Sequence, residues 1–411
     1  MRGHPGEEAV LVNNLGYSQT KNVWSKPEPG ANVVLTIDLD IQQAAERSLT
    51  NHQGANARAA VVVMDVRTCD VLALISSPAI NPDYTSNSAA FLSDPKLRPQ
   101  INRATYENYA PGSIFKPVTG LAALENGLDP NATIYVAPSP KDPSHGYIMV
   151  GQQSFQDTVP PGDYNFRRAI ERSSNAYFIT VGQRTGIQKI IQLAEKFHLG
   201  QRMDLPTKQE SPGNFPTEKR IRSNWFDGDS ANIYFGQGEV AVTPMQMAVV
   251  YSAIANGGKV LRPRLVERIE PQDPASGEAP TVFPSGVVRD ELGVHPRSLK
   301  ILSDAMLSET EDVEGTGRAA VVPGLRVCGK TGTAQVKNEH GQLIVWDYWF
   351  ASFAPYENPR YAVIVMVQTE NRGSGGGVCA PIAHDIYEAI LKSEKPDAPA
   401  LVTARRGEPA H

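Results

Sequence analysis

Apolar positions along the chain change period several times, and each change predicts an element. Val33-Val34-Leu35 is a short strand-like run, and after it Asp38 or Asp40 can cap a helix with Ile41, Ala44, Ala45 and Leu49 on one face. In "AAVVVMDVRTCDVLALISS", residues 59–65 and 70–77 are β-rich runs joined by a short polar turn, the pattern of a hairpin. From about 105 to 260 the spacing is mostly helical, broken by loops rich in proline and glycine near 129–165 and 205–232. An amphipathic helix over 297–312 precedes three β-type runs at 325–337, 344–354 and 360–369. "GSGGG" at 373–377 breaks that pattern, and "APIAHDIYEAILKS" closes as a helix.

Two strand runs near the start and three near the end predict one antiparallel sheet of five strands, built from both ends of the chain. The class is α/β of the α+β type. The intervening helices form a second lobe, and a site between the lobes is the natural consequence. Residues 1–30 are polar, with scattered Gly, Pro and Asn, and read as a linker or the remnant of something larger. The Pro- and charge-rich tail after Lys395 reads as disordered.

Bulk composition narrows the function by exclusion. The 411 residues are 41% hydrophobic, enough for a sizeable core. Net charge is −5 with both signs dispersed, and no basic or aromatic-basic block points to nucleic acid. Cys69, Cys328 and Cys379 are too few and too scattered for a disulfide framework or a zinc site. No stretch approaches the roughly 20 apolar residues of a membrane helix.

The chemistry turns on "GLRVCGKTGTAQV", residues 324–336. Gly324 through Thr331 fits the phosphate-loop pattern G-x-x-x-x-G-K-[ST], yet the inner residues alternate like a strand and poor helix material follows the lysine. The same lysine opens Lys330-Thr331-Gly332, one of the motifs of enzymes that acylate a serine; the others are S-x-x-K and S-x-N. S-x-x-K occurs three times, at Ser18–Lys21, Ser93–Lys96 and Ser113–Lys116. The first lies in the irregular leader and the second is broken by Pro95. In "APGSIFKPVTGLAALENG", Ser113 opens a helix with Ile114, Val118, Leu121 and Leu124 at helical spacing and Gly127 as its stop. Ser113 and Lys116 then share one face. A serine hydroxyl needs a base, and lysine can serve if burial and a nearby cation, here Lys330, keep it neutral. For the middle motif, Ser173-Ser174-Asn175 and Ser230-Ala231-Asn232 both fit; the first lies between helical stretches and is favoured, the second sits in an Asp- and Gly-rich loop.

From about residue 30 to 392 the chain resembles the class B penicillin-binding proteins, single-function D,D-transpeptidases. "VVLTIDLDIQQAAE", "YAPGSIFKPVTGLAALENG", "AIERSSNAYF", "GQGEVAVTPMQMAVVYSAIANGG", "CGKTGTAQV", "WFASFAP" and "GGGVCAPIA" occur in the family's order. The resemblance settles the middle motif on Ser173 and Asn175, because the aromatic pair Tyr177-Phe178 follows it. It implies the transpeptidase and serine β-lactamase-like fold over 31–395. It implies Ser113 as nucleophile, Lys116 as base, Ser173 and Asn175 for supporting proton transfer and holding the substrate amide, and Lys330, Thr331 and Thr333 for the donor carboxylate, with Gly332 among the substrate-binding residues. The amides of Ser113 and Thr333 would form the oxyanion hole. The substrates implied are peptidoglycan stem peptides, with β-lactams as inhibitors and no cofactor.

"MRGHPG" resembles the linker to the pedestal of elongation-type members, so a membrane anchor and most of a pedestal are expected to be missing. A polytopic membrane glycan polymerase is the partner implied, at the outer face of the cytoplasmic membrane. Some relatives hold zinc with Cys and His in the loop between the first two motifs; here 138–165 has His145 and no cysteine, so no metal is expected. Cys69, where glycine is usual, predicts a strained turn, while Cys328 and Cys379 read as packed apolar side chains. His384 reads as structural, and Gly236-Gln237-Gly238 as a wall of the cleft. The alternatives are a serine β-lactamase, for which Glu171 is the acid to check, a D,D-carboxypeptidase, or a β-lactam sensor or scaffold without turnover.

Overall fold

The computed structural model describes residues 3–273, 277–338 and 340–394. Strand-forming runs from both ends of the chain meet in one sheet. Helix α1 (Leu39–Gln53) leads into β1 (Arg58–Asp65) and β2 (Val71–Ser77). Strands β3 (Cys328–Lys337), β4 (Leu343–Ala354) and β5 (Tyr361–Thr369) come from the other end. The order is β3-β4-β5-β1-β2, every pair antiparallel, so five strands close as the pattern predicts.

The centre of the sheet is buried on both faces, which explains why β1 and β5 read as unbroken apolar runs. Ala60, Val62, Met64, Ala362, Ile364 and Met366 enter the core shared with the helical lobe. Their neighbours Ala59, Val61, Val63, Val363 and Val365 pack under α1 and the closing helix Ala380–Glu394. The alternation of a strand thus assigns each residue to one of two cores. Asp38 caps α1 by accepting from Asp40 N and Ile41 N, and Ser48 Oγ ties α1 to Asp385 of the closing helix at 2.8 Å. At the β1–β2 turn Cys69 takes φ 55°, the left-handed conformation expected there, and all three cysteines are buried.

The helical lobe holds α2 (Lys116–Glu125), α3 (Phe166–Arg172), α4 (Asn175–Thr185), α5 (Pro244–Ala255) and α6 (Pro296–Glu311). No helix among the described residues is long and apolar enough to cross a membrane.

Three expectations are corrected. Residues 129–165 are not loop alone: Ile134–Pro138, Gly146–Val150, Gln153–Gln156 and Gly162–Tyr164 form a four-stranded sheet, in runs too short for periodicity to separate from turns. The leader is not irregular: Glu7–Val12 pairs with Ser18–Ser25, and Asn13 Oδ1 accepts from Leu15 N and Tyr17 N to turn the chain. Its apolar side chains, Leu11, Leu15, Tyr17 and Trp24 among them, are exposed, so no burial signal marked the strands. Ser230-Ala231-Asn232 lies within the helix Asp227–Tyr234 rather than a loop. The tail at 396–411 lies outside the described residues.

Candidate active site

Ser113 sits in a 3-10 turn, Gly112–Phe115, that runs directly into α2. In that turn residues three apart eclipse, so Ser113 and Lys116 project from one side. The turn is held from several directions. Gly112 N donates to Gly236 O at 2.8 Å, Tyr251 Oη donates to Ile114 O at 3.0 Å, and Trp349 Nε1 donates to Ala110 O at 3.0 Å. Gly236, at φ 79°, leaves no room for a side chain: a Cβ there would lie 2.1 Å from Gly112 O. The Gly236-Gln237-Gly238 stretch therefore abuts the Ser113 turn.

Strand β3 lies against the other side of the same turn. A Cβ on Gly332 would meet Pro111 O and Ile114 Cγ2 at 3.0 Å, and one on Gly112 would meet Thr333 O at 3.0 Å. S-x-x-K and K-T-G are thus brought into contact through backbone that tolerates no bulk. Gly324 to Lys330 does not form a phosphate loop, because Gly329 and Lys330 are both inside the strand and no helix starts at the lysine.

The Lys116 side chain is fully buried and crosses to the second motif. Its Nζ donates to Ser173 O at 2.6 Å and to Asn175 Oδ1 at 2.7 Å, with Ser173 Oγ at 3.2 Å and the Phe178 ring centroid at 5.7 Å. Ser113 Oγ makes no hydrogen bond among the described residues; the lysine is drawn toward Ser173 instead. Ser173 closes α3 in the left-handed conformation, φ 63°, which turns its carbonyl inward. Burial and the charge of Lys330 together hold the Lys116 amine well below the ordinary ammonium range.

Two acids missing from the sequence reading complete the arrangement. Asp157 is buried behind the second motif; Oδ2 accepts from Ser174 Oγ at 2.6 Å and Ala176 N at 2.9 Å, and Oδ1 from Asn175 N at 2.7 Å. It caps α4 and fixes Asn175. No spacing in the sequence marks it. Glu309, on α6, pairs with Lys330 at 2.8 Å, and both side chains are 0% exposed. Glu309 did leave a signal: it follows Leu302, Ala305 and Met306 on the apolar face of an amphipathic helix, where an acid is out of place. Burial lowers the Lys330 amine, and Glu309 opposes that shift.

Accessibility divides the third motif. Lys330 is fully buried and Thr331 nearly so, while Thr333 is exposed and its Oγ1 accepts from Gly375 N at 3.4 Å. Glu171 is buried on α3, and burial raises its carboxyl, but its charged neighbours are Asp312, Arg167, Glu314 and Arg168, none of them in the three motifs. His384 Nδ1 contacts Val321 O at 2.7 Å, away from this cluster. A cavity of about 520 Å³, bordered by Glu46, Ser76 and Gln209, also lies elsewhere and touches none of the motif residues.

Residues 59–388 match the family described as penicillin binding protein transpeptidase domain. The chain is 31% identical over 420 residues to a Haemophilus influenzae protein named peptidoglycan D,D-transpeptidase MrdA, covering 96% of this chain and 62% of that protein. It is 30% identical to the Escherichia coli K12 protein of the same name, covering 97% of this chain and 64% of that one. The chain therefore spans a little over six-tenths of these relatives. Among solved structures, Pseudomonas aeruginosa PBP2 in complex with WCK 5153 superposes with a TM-score of 0.73 at 30% identity, over 90% of this chain and 80% of that one. Mycobacterium tuberculosis PBP3 complexed with aztreonam gives 0.76 at 28% identity, over 93% and 87%.

Proposed function

The chain belongs to the penicillin-binding-protein transpeptidase family, and on that premise we propose that it is a serine D,D-transpeptidase cross-linking peptidoglycan stem peptides through an acyl-enzyme on Ser113. The observation that carries this reading is the bonding of Lys116. A neutral amine has two N–H bonds and one lone pair. Ser173 O and Asn175 Oδ1 accept those two N–H bonds at 2.6 and 2.7 Å, so neither engages the lone pair, and Ser173 Oγ at 3.2 Å is the further group it meets, which supports a neutral Lys116 as base with the Ser173 hydroxyl as its relay.

Lys116 takes the Ser113 proton as Oγ attacks the carbonyl carbon of the penultimate D-Ala. The bond to the terminal D-Ala breaks, and its nitrogen leaves with a proton relayed through Lys116 and the Ser173 hydroxyl. An amine of a neighbouring stem then attacks the ester carbonyl, loses its proton to the same base, and Ser113 leaves with a proton restored. The Thr333 carbonyl faces Gly112, and in a strand the N–H and C=O of one residue point to the same side, which supports the Thr333 and Ser113 amides as the oxyanion hole. The exposed Thr333 hydroxyl meets the donor carboxylate, with Gly332 keeping the strand close and Thr331 and Lys330 acting from beneath. β-Lactams acylate Ser113 and stall there.

The domain assignment that goes with this reading is 31–395 as the transpeptidase and 1–30 as a linker or the remnant of a pedestal. In the cell the domain works at the outer face of the cytoplasmic membrane, held by an anchor, with a polytopic glycan polymerase of the elongation complex as partner. The test is intact mass and peptide mapping after incubation with benzylpenicillin. A stable adduct on Ser113, absent in Ser113→Ala, is expected. A transient adduct would replace this reading with a β-lactamase, and none on folded protein would overturn the acyl-serine mechanism.

A further inference from the structure

Glu309 occupies a position that fold stability alone does not explain. It lies in the last turn of α6, where the helix dipole disfavours an anion. It is fully buried, and a buried ion pair is weak support for stability once desolvation is counted. Yet every contact of its carboxylate is specific. One oxygen faces Lys330 Nζ at 2.8 Å. The other accepts from Thr331 N at 2.6 Å, Thr331 Oγ1 at 2.8 Å and Thr316 Oγ1 at 2.6 Å. One side chain from a neighbouring helix thus holds two consecutive residues of the K-T-G motif and the loop before the strand.

We propose that Glu309 is a positioning residue for transpeptidation: it is the counter-ion that keeps Lys330 charged and fixed beneath β3, so that Lys116 is the lysine of the pair that gives up its proton. The inference rests on the reading of Ser113 and Lys116 as nucleophile and base. The charged and titratable groups around the pair are few. Lys116 faces it from α2, Asp157 acts on Lys116 from the far side, and Tyr251 faces Glu309 from α5. On α3, Arg167 and Arg172 are engaged by Asp312 and Glu314, and Arg168 by Glu314; Glu171 lies with them. Among the described residues, then, Glu309 is the one anion that contacts the Lys330 cation, whose Nζ otherwise donates to Thr331 O at 3.4 Å.

Removing that carboxylate acts on both lysines but unequally, because only Lys330 touches it. In Glu309→Gln the amide oxygen can keep the Thr331 and Thr316 bonds, which turns the amide NH2 toward the Lys330 ammonium. Losing an adjacent anion destabilises the cationic form, so Lys330 deprotonates at lower pH.

The experiment is the second-order rate constant for acylation by benzylpenicillin, followed by mass, from roughly pH 5 to 10. In the folded wild type the rate rises as Lys116 loses its proton and falls as Lys330 loses its own. In Glu309→Gln the alkaline limb should move down by about one to three pH units, with a smaller move of the acid limb in the same direction. Glu309→Asp keeps the charge one methylene away and should show a smaller shift of the same sign. If Glu309→Gln does not fold, Glu309→Asp decides. Variants with both limbs at wild-type positions, whatever their rates, would overturn the proposal and reduce Glu309 to a structural role. A wild type that is never acylated on Ser113 would instead overturn the underlying catalytic reading.

Discussion

The Lys116 amine lies 2.6 Å from the carbonyl oxygen of Ser173, and the contact exists because Ser173 sits at φ 63°. A helical residue there would direct its carbonyl along the helix axis. The left-handed turn aims it at the lysine, at a steric cost of about 1–2 kcal/mol for a residue with a Cβ. Strain and chemistry can be separated by two substitutions. Ser173→Ala keeps the strain and loses the hydroxyl; Ser173→Gly loses both. Both should acylate about 10²–10⁴-fold more slowly if the hydroxyl relays protons. Ser173→Gly should nevertheless be the more stable of the two by about 1 kcal/mol in chemical denaturation. Equal stability would mean that the backbone is not strained.

Asn175 offers a sharper probe of which form of Lys116 reacts. Its Oδ1 accepts from Lys116 at 2.7 Å. Asn175→Asp places a negative charge at nearly the same position and so favours the ammonium. The acid limb of the acylation profile should move to higher pH by about one to three units, and activity lost near neutrality should partly return in alkaline buffer. A uniform loss at every pH would instead mean that the amide acts through its shape or its NH2 group.

Gly236 tests the support of the nucleophile turn from outside the motifs. Its φ of 79° is unfavourable for any other residue, and a Cβ would fall 2.1 Å from Gly112 O, a backbone atom. Gly236→Ala must push the Gly112 carbonyl aside, and Ser113 is the next residue. Acylation should fall at least tenfold in a variant whose circular dichroism is unchanged, since about 1.4 kcal/mol of misplacement suffices for that factor. A wild-type rate would show that the turn absorbs the displacement without moving Ser113.

The sheet was legible because each strand run carried enough β-branched and apolar residues to fix its type; that β1 and β5 are buried on both faces emerged only with the helices packed against them. The S-x-x-K and K-T-G motifs were legible because their chemistry demands particular side chains at fixed spacing. What the sequence concealed depends on long-range placement. Asp157 caps a helix beginning at Asn175, a relation that no local pattern encodes. Glu309 and Lys330 are 21 positions apart on different elements, and only the burial of both gives the pair its force. The exposed leader hairpin escaped because its apolar side chains meet nothing that would impose alternation.

Asp347 gives a prediction about stability rather than rate. It lies on β4 opposite Ala334, buried to 1% exposure, and Gln368 Nε2 donates to its Oδ1 at 2.9 Å. Burial lifts its carboxyl to about 6, from the usual 3.8. The folded chain therefore holds this proton more tightly than the unfolded chain. The stability contributed by the protonated form is complete below pH ~4 and is lost as pH rises through about 6. Asp347→Asn has no proton to lose. Its hydrogen-bonding penalty is the same at every pH, whereas the wild type loses on the order of 2–3 kcal/mol between mildly acidic and neutral conditions. Unfolding free energies by urea at about pH 4 and about pH 7.5 should therefore converge or cross, the variant gaining on the wild type as pH rises. Parallel curves would show that Asp347 is ionised and solvated in the fold, and that its charge sits beside the K-T-G strand at all working pH values.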